Sequence, residues 1–275
     1  MHPGLTTIAF RTPTLPPATH TNTWIVGEGE LTVVDPASPY EDEQDRLLDT
    51  LLDHVRAGET VARLVLTHHH HDHVAGAMKL QEDLAEHGID APIQAHAETA
   101  RLLEGKVVVD AIIDETEQAW GGRRVKPLHT PGHAGGHLVF HDLDDGWMIA
   151  GDMVAGIGTI LLDPDEGDLE DYLQSLERMK ARTPRVLLPS HGPDLTEPQA
   201  LIGMYAAHRH MRTEQIGDAL GTGGSQTALE LVPRVYGADF DPRYHRIAAR
   251  QITTHLLWLR RHGLAELRGE HWTRL

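Results

Sequence analysis

The sequence predicts an α/β fold in which helices pack on sheets, followed by a small C-terminal domain. Two observations support this prediction. Short apolar stretches typical of buried strands alternate with amphipathic helical patterns over most of the chain. Beyond residue 197 the pattern changes to three helical segments and two short strand-like segments. A chain of 275 residues is long enough for a large and a small domain, which we place at 1–197 and 198–275.

The predicted elements of the first domain begin with a β-hairpin. Residues up to Pro17 are rich in proline and threonine and are typical of extended chain. Residues 23–27 and 31–34 are the predicted strands, with Glu28-Gly29 as their tight turn. Residues 41–56 have the apolar spacing of a helix, which Gly58 ends. The later predicted elements are strands at 61–66, 93–95, 125–129, 138–140, 147–149 and 186–188, and helices at 75–87, 97–104 and 169–180, the last capped by Asp168.

Composition excludes several kinds of site. The chain has no cysteine, which excludes disulfides, iron–sulfur clusters and thiolate zinc sites. Its formal net charge is −17, so the molecule as a whole should repel polyanions.

The start of the sequence lacks the features of a signal peptide, and no apolar stretch approaches the ~20 residues that cross a bilayer. We therefore expect a cytoplasmic protein that has no membrane partner.

Residues 68–73 contain five histidines and one aspartate directly after a predicted buried strand. One interpretation is a histidine-rich tract that binds metal loosely. We favour a built metal site, because the run is internal and an aspartate interrupts it. In an extended loop, side chains at alternate positions point to the same side. The predicted ligands are His68, His70, Asp72 and His73. The first three lie on one side by this alternation, and His73 reaches the same side because the chain turns into a helix there. The predicted bystanders are His69 and His71.

The chemistry of these side chains indicates the metal. Imidazole nitrogen and carboxylate oxygen are the ligands that zinc prefers in catalytic sites, where one position stays open for water. A cluster of this density predicts two ions. Zinc fits these donors best, and manganese or iron are alternatives because the same donors accept them.

The run resembles the signature of a known family. Thr-His-x-His-x-Asp-His, here residues 67–73, is similar to the metal-binding motif of the metallo-β-lactamase superfamily. The later ligand motifs of that superfamily follow in the same order, as Thr130-Pro131-Gly132-His133, Ala150-Gly151-Asp152 and Pro189-Ser190-His191-Gly192. One departure is Ala75, where the family usually has glycine. The resemblance implies the αββα sandwich of this superfamily and hydrolysis at a dinuclear metal site.

The resemblance also implies a role for each motif residue. The first ion would be bound by His68, His70 and His133. The second would be bound by Asp72, His73 and His191, with Asp152 bridging the two. Two such ions bring the pKa of a bridging water towards ~7, so that hydroxide is available at neutral pH. Asp72 is the predicted catalytic residue, which orients this nucleophile and shuttles its proton. Asp35 corresponds to an acidic residue that supports the metal loop, or is simply a turn former before Pro36.

The C-terminal region differs from the rest of the chain in charge and pattern. From Tyr205 it holds ten arginines and seven acidic residues, a net charge of +3, which leaves −20 for the remainder. Helices are predicted over about 197–220, over 225–236 with Ser225 as its cap, and over 242–262. A hairpin is predicted over 264–267 and 271–274. Three helices and a β-wing indicate a winged-helix domain.

The winged helix has more than one interpretation. Arg243, Arg246 and Arg250 lie at helical spacing and could contact nucleic acid. We favour the alternatives, in which the domain shapes the substrate site or mediates contacts within a homodimer. Three further side chains either line the cleft or face water, namely His208, Arg209 and Arg212.

Three further motifs and the C-terminal module resemble the β-lactamase-like protein 2 group of the superfamily. The motifs are Gly132-His133 with His137, Gly156-Ile157-Gly158-Thr159, and the segment 168–176. That group includes an endoribonuclease that acts on single-stranded RNA, and similar two-domain enzymes are thioesterases of polyketide pathways. Three functions follow: hydrolysis of a small acyl substrate such as a thioester, ester or lactone, cleavage of single-stranded RNA, and ligand sensing by a DNA-binding regulator. A first domain at −20 disfavours RNA, because phosphate contacts dominate RNA affinity. The complete ligand set disfavours a regulator, so we favour acyl hydrolysis.

Overall fold

The protein contains two β-sheets and a separate C-terminal hairpin. The computed structural model describes residues 2–275, apart from the side chains at 222 and 223. The first sheet has six strands in sequence order, β1 (Leu5–Arg11), β2 (His20–Val26), β3 (Glu30–Val34), β4 (Thr60–Val65), β5 (Ile93–Ala95) and β6 (Ala111–Ile112). The second sheet has five strands in the order β11-β10-β9-β8-β7, namely β7 (Gln118–Trp120), β8 (Arg123–His129), β9 (Leu138–Asp142), β10 (Trp147–Gly151) and β11 (Val186–Pro189).

Helices alternate with these strands and then dominate the C-terminal part. The helices before residue 198 are α1 (Glu41–Arg56), α2 (His71–Val74), α3 (Ala77–Glu86), α4 (Ala97–Leu102) and α5 (Leu169–Ala181). The C-terminal elements are α6 (Pro198–Gly223), α7 (Ala228–Tyr236), α8 (His245–Arg261), and a hairpin of β12 (Ala265–Arg268) and β13 (His271–Arg274). The predicted α/β fold is confirmed. Among the described residues, no helix is long and apolar enough to span a membrane.

Some predicted elements differ from the observed ones. The N-terminal segment predicted as extended chain contains β1, which pairs antiparallel with β2. The helix predicted at 75–87 is α3, Ala77–Glu86, and a separate short helix, α2 at His71–Val74, precedes it. Gly76 lies between these two helices. Only glycine fits there, because a Cβ would lie 2.8 Å from the carbonyl oxygens of both Pro36 and Ser38. The predicted cap Asp168 is confirmed, since its Oδ1 accepts hydrogen bonds from two backbone N–H groups in the first turn of α5.

Two apolar cores cover the faces of the first sheet. Leu64 of β4 belongs to the core that this sheet forms with leucines of α1 and α3, whereas Val65 belongs to the core between the two sheets. The inter-sheet core includes Trp24 from the first sheet and Trp120 and Trp147 from the second. Leu64 and Val65, at the end of β4, are both buried although they face different cores, so this end of the strand is apolar rather than alternating. This burial also fixes where β4 ends and the histidine run begins.

Contacts divide the chain into two compact units. The first contains residues up to 130 together with 135–160 and 178–199. The second contains 131–134, 161–177 and 200–275. Two short segments from the middle of the chain therefore belong to the C-terminal unit. The simpler division into domains 1–197 and 198–275 stays a prediction.

The C-terminal elements share one core. It includes Ile216 of α6, Leu231 of α7, Ile252 and Leu256 of α8, and Trp272 of β13. Helix α7 starts with a capping box at Thr227, not at Ser225 as predicted. The Thr227 side chain accepts from the Glu230 N–H, and the Glu230 carboxylate accepts from the Thr227 N–H. The helix starts later because the backbone of Gln226 is paired with that of Trp272.

His255 of α8 is a buried neutral histidine that should make this unit sensitive to acid. Its Nδ1 lies 2.8 Å from Thr213 Oγ1, and burial, then the charges of Arg209 and Arg212, lower its pKa to about 3. An unfolded histidine titrates near ~6.5. As the pH falls below that value, His255 binds a proton in the unfolded chain but stays neutral in the folded one. Stability that is fully present above pH ~6.5 is therefore lost at up to ~1.4 kcal/mol per pH unit towards pH ~3.

We expect His255→Gln to reduce this loss. Melting temperatures between pH 7 and pH 4.5 test the expectation, because the wild type should lose stability more steeply than the variant. The variant starts lower at pH 7, since it packs less well, and the slope is the decisive quantity. Parallel curves would show that His255 is not responsible.

Candidate metal centre

In the first unit, polar side chains follow the carboxyl ends of four strands. β3 is followed by Asp35, β4 by residues 67–73, β10 by Asp152 and β11 by His191. β3 and β4 are parallel neighbours in the first sheet, and β10 and β11 are parallel neighbours in the second. Parallel neighbours bring their carboxyl ends to the same edge, where sites in α/β proteins are commonly built.

The residues predicted to bind the second ion lie together. Ligand atoms of Asp72, His73 and His191 are all within 4.8 Å of one another. The distance from His191 Nε2 to Asp72 Oδ2 is 3.6 Å. His191 is oriented by its other ring nitrogen, since Nδ1 lies 2.9 Å from the carbonyl oxygen of His20. Such a bond leaves Nε2 as the ligand atom.

Asp152 lies between these residues and His68, as a bridging ligand should. Its ligand atom falls within 4.8 Å of those of His68 and His73. Asp152 Oδ1 is 3.6 Å from His73 Nε2 and 3.5 Å from His191 Nε2. These distances are too long for hydrogen bonds. They match the separation of about 3.4 Å between two donors that bind one tetrahedral ion at ~2.1 Å.

His73 provides a second test of whether a metal fits. Its side chain is fully buried, and Nε2 has no hydrogen-bond partner among the described residues. A buried ring nitrogen without a partner is costly unless an ion binds it. The nitrogen and oxygen donors present are those of a zinc site. The arrangement therefore fits a divalent metal ion.

The residues predicted for the first ion belong to different units. His68 Nε2 and His70 Nδ1 face each other at 2.9 Å, and Thr67 Oγ1 lies 3.0 Å from His68 Nδ1. His133 belongs to the second unit, where its Nδ1 donates to the carbonyl oxygen of Leu161 at 2.8 Å. Nε2 is then the ring atom that would bind a metal. The assignment of His133 to the first ion stays a prediction.

The electrostatics of the centre favour a cation. Burial would lower the pKa of His73, but the carboxylates of Asp152 and Asp72 outweigh it and hold the pKa well above its usual value. Burial raises the pKa of Asp152, but the charges of His191 and His73 hold it well below its usual range. Both carboxylates are thus ionised at neutral pH. The same negative charge that attracts protons to the histidines would stabilise metal ions.

Asp35 supports the metal loop, as the first of the two interpretations proposed. Its Oδ1 accepts a hydrogen bond of 2.7 Å from the Thr67 N–H. Its Oδ2 lies 2.7 Å from Thr67 Oγ1 and 2.9 Å from His73 Nδ1. Asp35 is fully buried and has a φ of +51°, a left-handed conformation that aspartate tolerates better than most residues.

The loop itself differs from the predicted alternation. His70 is extended and α2 begins at His71, so the alternation of an extended loop does not continue to Asp72 and His73. Asp72 and His73 therefore reach the centre from one helical turn. His71 is exposed and His69 is half-buried. That neither of them binds metal stays a prediction.

Two further side chains, those of His137 and Asn22, shape the centre, and the sequence alone indicates this role for neither of them. His137 Nε2 accepts a hydrogen bond of 3.1 Å from the Asp152 N–H, while its Nδ1 lies 2.9 Å from Thr130 Oγ1. Gly151 must be glycine here, because its φ is +52° and a Cβ would lie 2.3 Å from His137 Nε2. The Asn22 side chain donates to the carbonyl oxygens that precede and follow the Ser190-His191 turn, at 2.8 and 2.9 Å. These bonds hold Asp152 and His191 in place.

Two sheets with a histidine and aspartate cluster at their strand ends define a metal-dependent hydrolase of the αββα class. The chain belongs to the metallo-beta-lactamase superfamily, whose family model matches residues 16–191. A second model, the beta-lactamase associated winged helix domain, matches residues 227–272. The predicted fold class, winged helix and family resemblance are confirmed.

Individual relatives are similar to this chain in sequence or in structure. A beta-lactamase-like protein 2 homolog of Drosophila melanogaster is 29% identical over 206 residues, which cover 71% of this chain and 66% of the relative. An atrochrysone carboxyl ACP thioesterase of Cryptosporiopsis sp. (strain 8999) is 28% identical over 254 residues, which cover 86% of this chain and 73% of the relative. A beta-lactamase domain protein from Burkholderia ambifaria has a TM-score of 0.87 at 21% identity, over 100% of this chain and 92% of that structure, and shows the fold alone.

Proposed function

We propose that the protein is a dinuclear metal-dependent hydrolase that cleaves a small acyl substrate, namely a thioester, an ester or a lactone. The observation that carries the proposal is the position of the Asp152 carboxylate at 3.5 and 3.6 Å from two histidine nitrogens. The acyl substrate is supported by the thioesterase name of the fungal relative, of which this chain covers 73%.

The metal ions would be held as the family motifs imply. The first ion would be bound by His68, His70 and His133, the second by Asp72, His73 and His191, with Asp152 between them. Two zinc ions, or manganese or iron in their place, would lower the pKa of a water molecule towards ~7 and polarise the scissile carbonyl. The donor set favours zinc on chemical grounds.

Asp72 is suited to move the proton of the reaction. Burial raises the pKa of its carboxyl, but the charge of His73 and a hydrogen bond from Thr14 bring it below its usual value, so Asp72 is a carboxylate at neutral pH. It can orient the attacking water and accept its proton while the water oxygen bonds to the acyl carbon. When the bond from the acyl carbon to sulfur or oxygen breaks, the proton passes from Asp72 to the leaving atom.

RNA cleavage is the second candidate, and the arginines of the C-terminal unit do not favour it. Arg243 is paired with Asp241, and Arg250 is paired with Asp163 and Asp165. Two of the three arginines that could contact nucleic acid are therefore already paired with carboxylates of their own unit. The net charge of −17 adds to the same conclusion. A homodimer and a cytoplasmic location stay predictions.

Three other residues of the C-terminal unit were given two interpretations, lining the cleft or facing water. Arg209 is buried, with its guanidinium 5.1 Å from the centre of the Tyr172 ring. Arg212 lies 4.6 Å from the centre of the Tyr236 ring. His208 is exposed. Both arginines pack on aromatic rings of their own unit. That any of the three lines the cleft stays a prediction.

A substrate panel tests the proposed function. Purified protein supplied with zinc is assayed against acyl-CoA and other acyl thioesters, aryl esters, lactones and single-stranded RNA, beside His70→Ala. We expect acyl hydrolysis that falls at least 100-fold in the variant, since a missing metal ligand costs several kcal/mol. RNA cleavage that disappears in His70→Ala, without acyl hydrolysis, would overturn the acyl proposal. Activity of any kind that persists unchanged in the variant would show that the centre is not responsible for it.

A further inference from the structure

The carbonyl group that orients His133 belongs to a segment held by the winged helix. His133 Nδ1 donates to Leu161 O at 2.8 Å. The next residue, Leu162, has both of its backbone polar groups bonded to side chains of α8. Its N–H donates to Gln251 Oε1 at 3.1 Å, and its carbonyl oxygen accepts from Gln251 Nε2 at 3.0 Å and from Thr254 Oγ1 at 2.5 Å.

This arrangement fixes the peptide on both sides of Leu162. An amide side chain that bonds the N–H and the C=O of the same residue reproduces the pairing of a neighbouring strand. Gln251 and Thr254 are three residues apart and so face the same side of the helix. Both are buried, so water does not compete for these bonds. The Leu161 carbonyl and the Leu162 N–H belong to one peptide group, so rotation of this carbonyl away from His133 would break the bond from the Leu162 N–H to Gln251 Oε1.

Further contacts of α8 reinforce the same segment. Arg250 is paired with Asp163, directly after the clamped residue. Arg261 Nη2 donates to Asp168 Oδ2 at 2.5 Å, and the Asp168 N–H donates to Gly132 O at 2.8 Å, one residue before His133. Gly132 has a φ of +126°, and a Cβ there would lie 2.3 Å from the Tyr172 backbone. The segment around His133 is thus held from two sides by partners inside the second unit.

We propose that α8 of the winged helix positions His133, with Gln251 and Thr254 as positioning residues that set the orientation and tautomer of its imidazole. The inference rests on the proposed function in one respect, the assignment of His133 to the first metal position. It gives the winged helix a role in metal binding that needs neither nucleic acid nor a partner protein. The bond to Leu161 O keeps the proton on Nδ1, and the clamp on Leu162 keeps that acceptor in place.

The core of the winged helix is separate from this clamp. Ile252 and Leu256 of α8 pack into that core, whereas Gln251 and Thr254 bond the Leu162 backbone. Thr253 offers a matched control, because it is half-buried on the same helix and its hydroxyl donates only to Ala249 O of α8. Thr254→Val and Thr253→Val make the same chemical change, and only the first removes a bond to Leu162.

Metal titration of the full-length protein tests the inference. Zinc is removed and returned in the presence of a chromophoric chelator, and the two dissociation constants are measured for the wild type, Gln251→Leu, Thr254→Val, Thr254→Ser and Thr253→Val. We expect Gln251→Leu and Thr254→Val to weaken one of the two ions by 10- to 100-fold and to leave the other unchanged, as for partners that orient metal ligands. Thr254→Ser should restore the affinity, and Thr253→Val should match the wild type.

Cobalt replaces zinc in a second measurement that a general loss of stability would not mimic. The visible absorption of the weakened cobalt ion should change in intensity in Gln251→Leu and Thr254→Val, because the geometry of its ligands changes. Equal weakening of both ions, or unchanged affinities in both variants, would overturn the positioning role. The variant His133→Ala distinguishes failure of the positioning role from failure of the proposed metal centre. If the His133→Ala protein still binds both ions, His133 is not a ligand and the proposed metal centre is wrong.

Discussion

Replacing Asp152 by asparagine is expected to lower the rate of hydrolysis by roughly 10³-fold, which corresponds to about 4 kcal/mol. Asp152 Oδ1 faces the Nε2 atoms of His73 and His191, and its charge holds the pKa of both imidazoles above the usual value. Asparagine keeps the shape of the side chain but removes the charge that two ions would share. We therefore expect the variant to lose at least one ion per protein as well as activity.

Metal content and rate together decide this prediction. Both are measured on protein of confirmed helical content, because a neutral residue at a buried site also changes the metal-free protein. Asp90→Asn is the matched control, since Asp90 is exposed and makes no hydrogen bond or ion pair among the described residues. If Asp152→Asn retains two ions and the rate of the wild type, the bridging position assigned to Asp152 is wrong.

The sequence predicted the buried strands of the two sheets better than the short or exposed strands at the sheet edges. β9 to β11 and the end of β4 are buried, and their apolar residues are visible without a structure. β1 is mostly exposed or half-buried, and β6 and β7 are only two and three residues long, so none of them has a clear strand pattern. Their pairing depends on neighbouring strands that are distant in sequence. Local pattern contains no information about such partners.

The candidate site shows the same division between local and distant information. The residues of the histidine run could be found because their types are rare together and their chemistry is specific. The supporting residues could not, because Asn22 and His137 bond groups up to 170 residues away or across a strand pair. The role of Asp35 was ambiguous for a physical reason. The same residue has a left-handed backbone, as turn formers do, and a side chain that bonds the metal loop. Nor could the sequence indicate that Leu162 would be clamped by a helix that starts more than 80 residues later.

Asp35→Asn should separate the support of the metal loop from the turn itself. Asparagine tolerates a φ of +51° as well as aspartate does, so the backbone need not change. The Thr67 N–H would hold the amide oxygen at the position of Oδ1, which leaves the amide nitrogen facing His73 Nδ1. His73 must then accept with Nδ1 and carry its proton on Nε2. Because a protonated ring nitrogen cannot bind a metal ion, we expect the second ion to bind 10- to 100-fold more weakly.

A direct view of the tautomer makes this prediction specific. Nitrogen NMR of the histidine rings should show the His73 proton on Nε2 in Asp35→Asn, and on Nδ1 in the zinc-bound wild type. The loss of a buried charged acceptor should also lower the stability of the metal-free protein, by ~1–3 kcal/mol. Asp144→Asn serves as the control, because Asp144 likewise accepts from a backbone N–H, that of Arg124, but lies at an exposed turn. Wild-type zinc affinity in Asp35→Asn, with the proton still on Nδ1, would mean that Asp35 shapes the turn and does not set the state of His73.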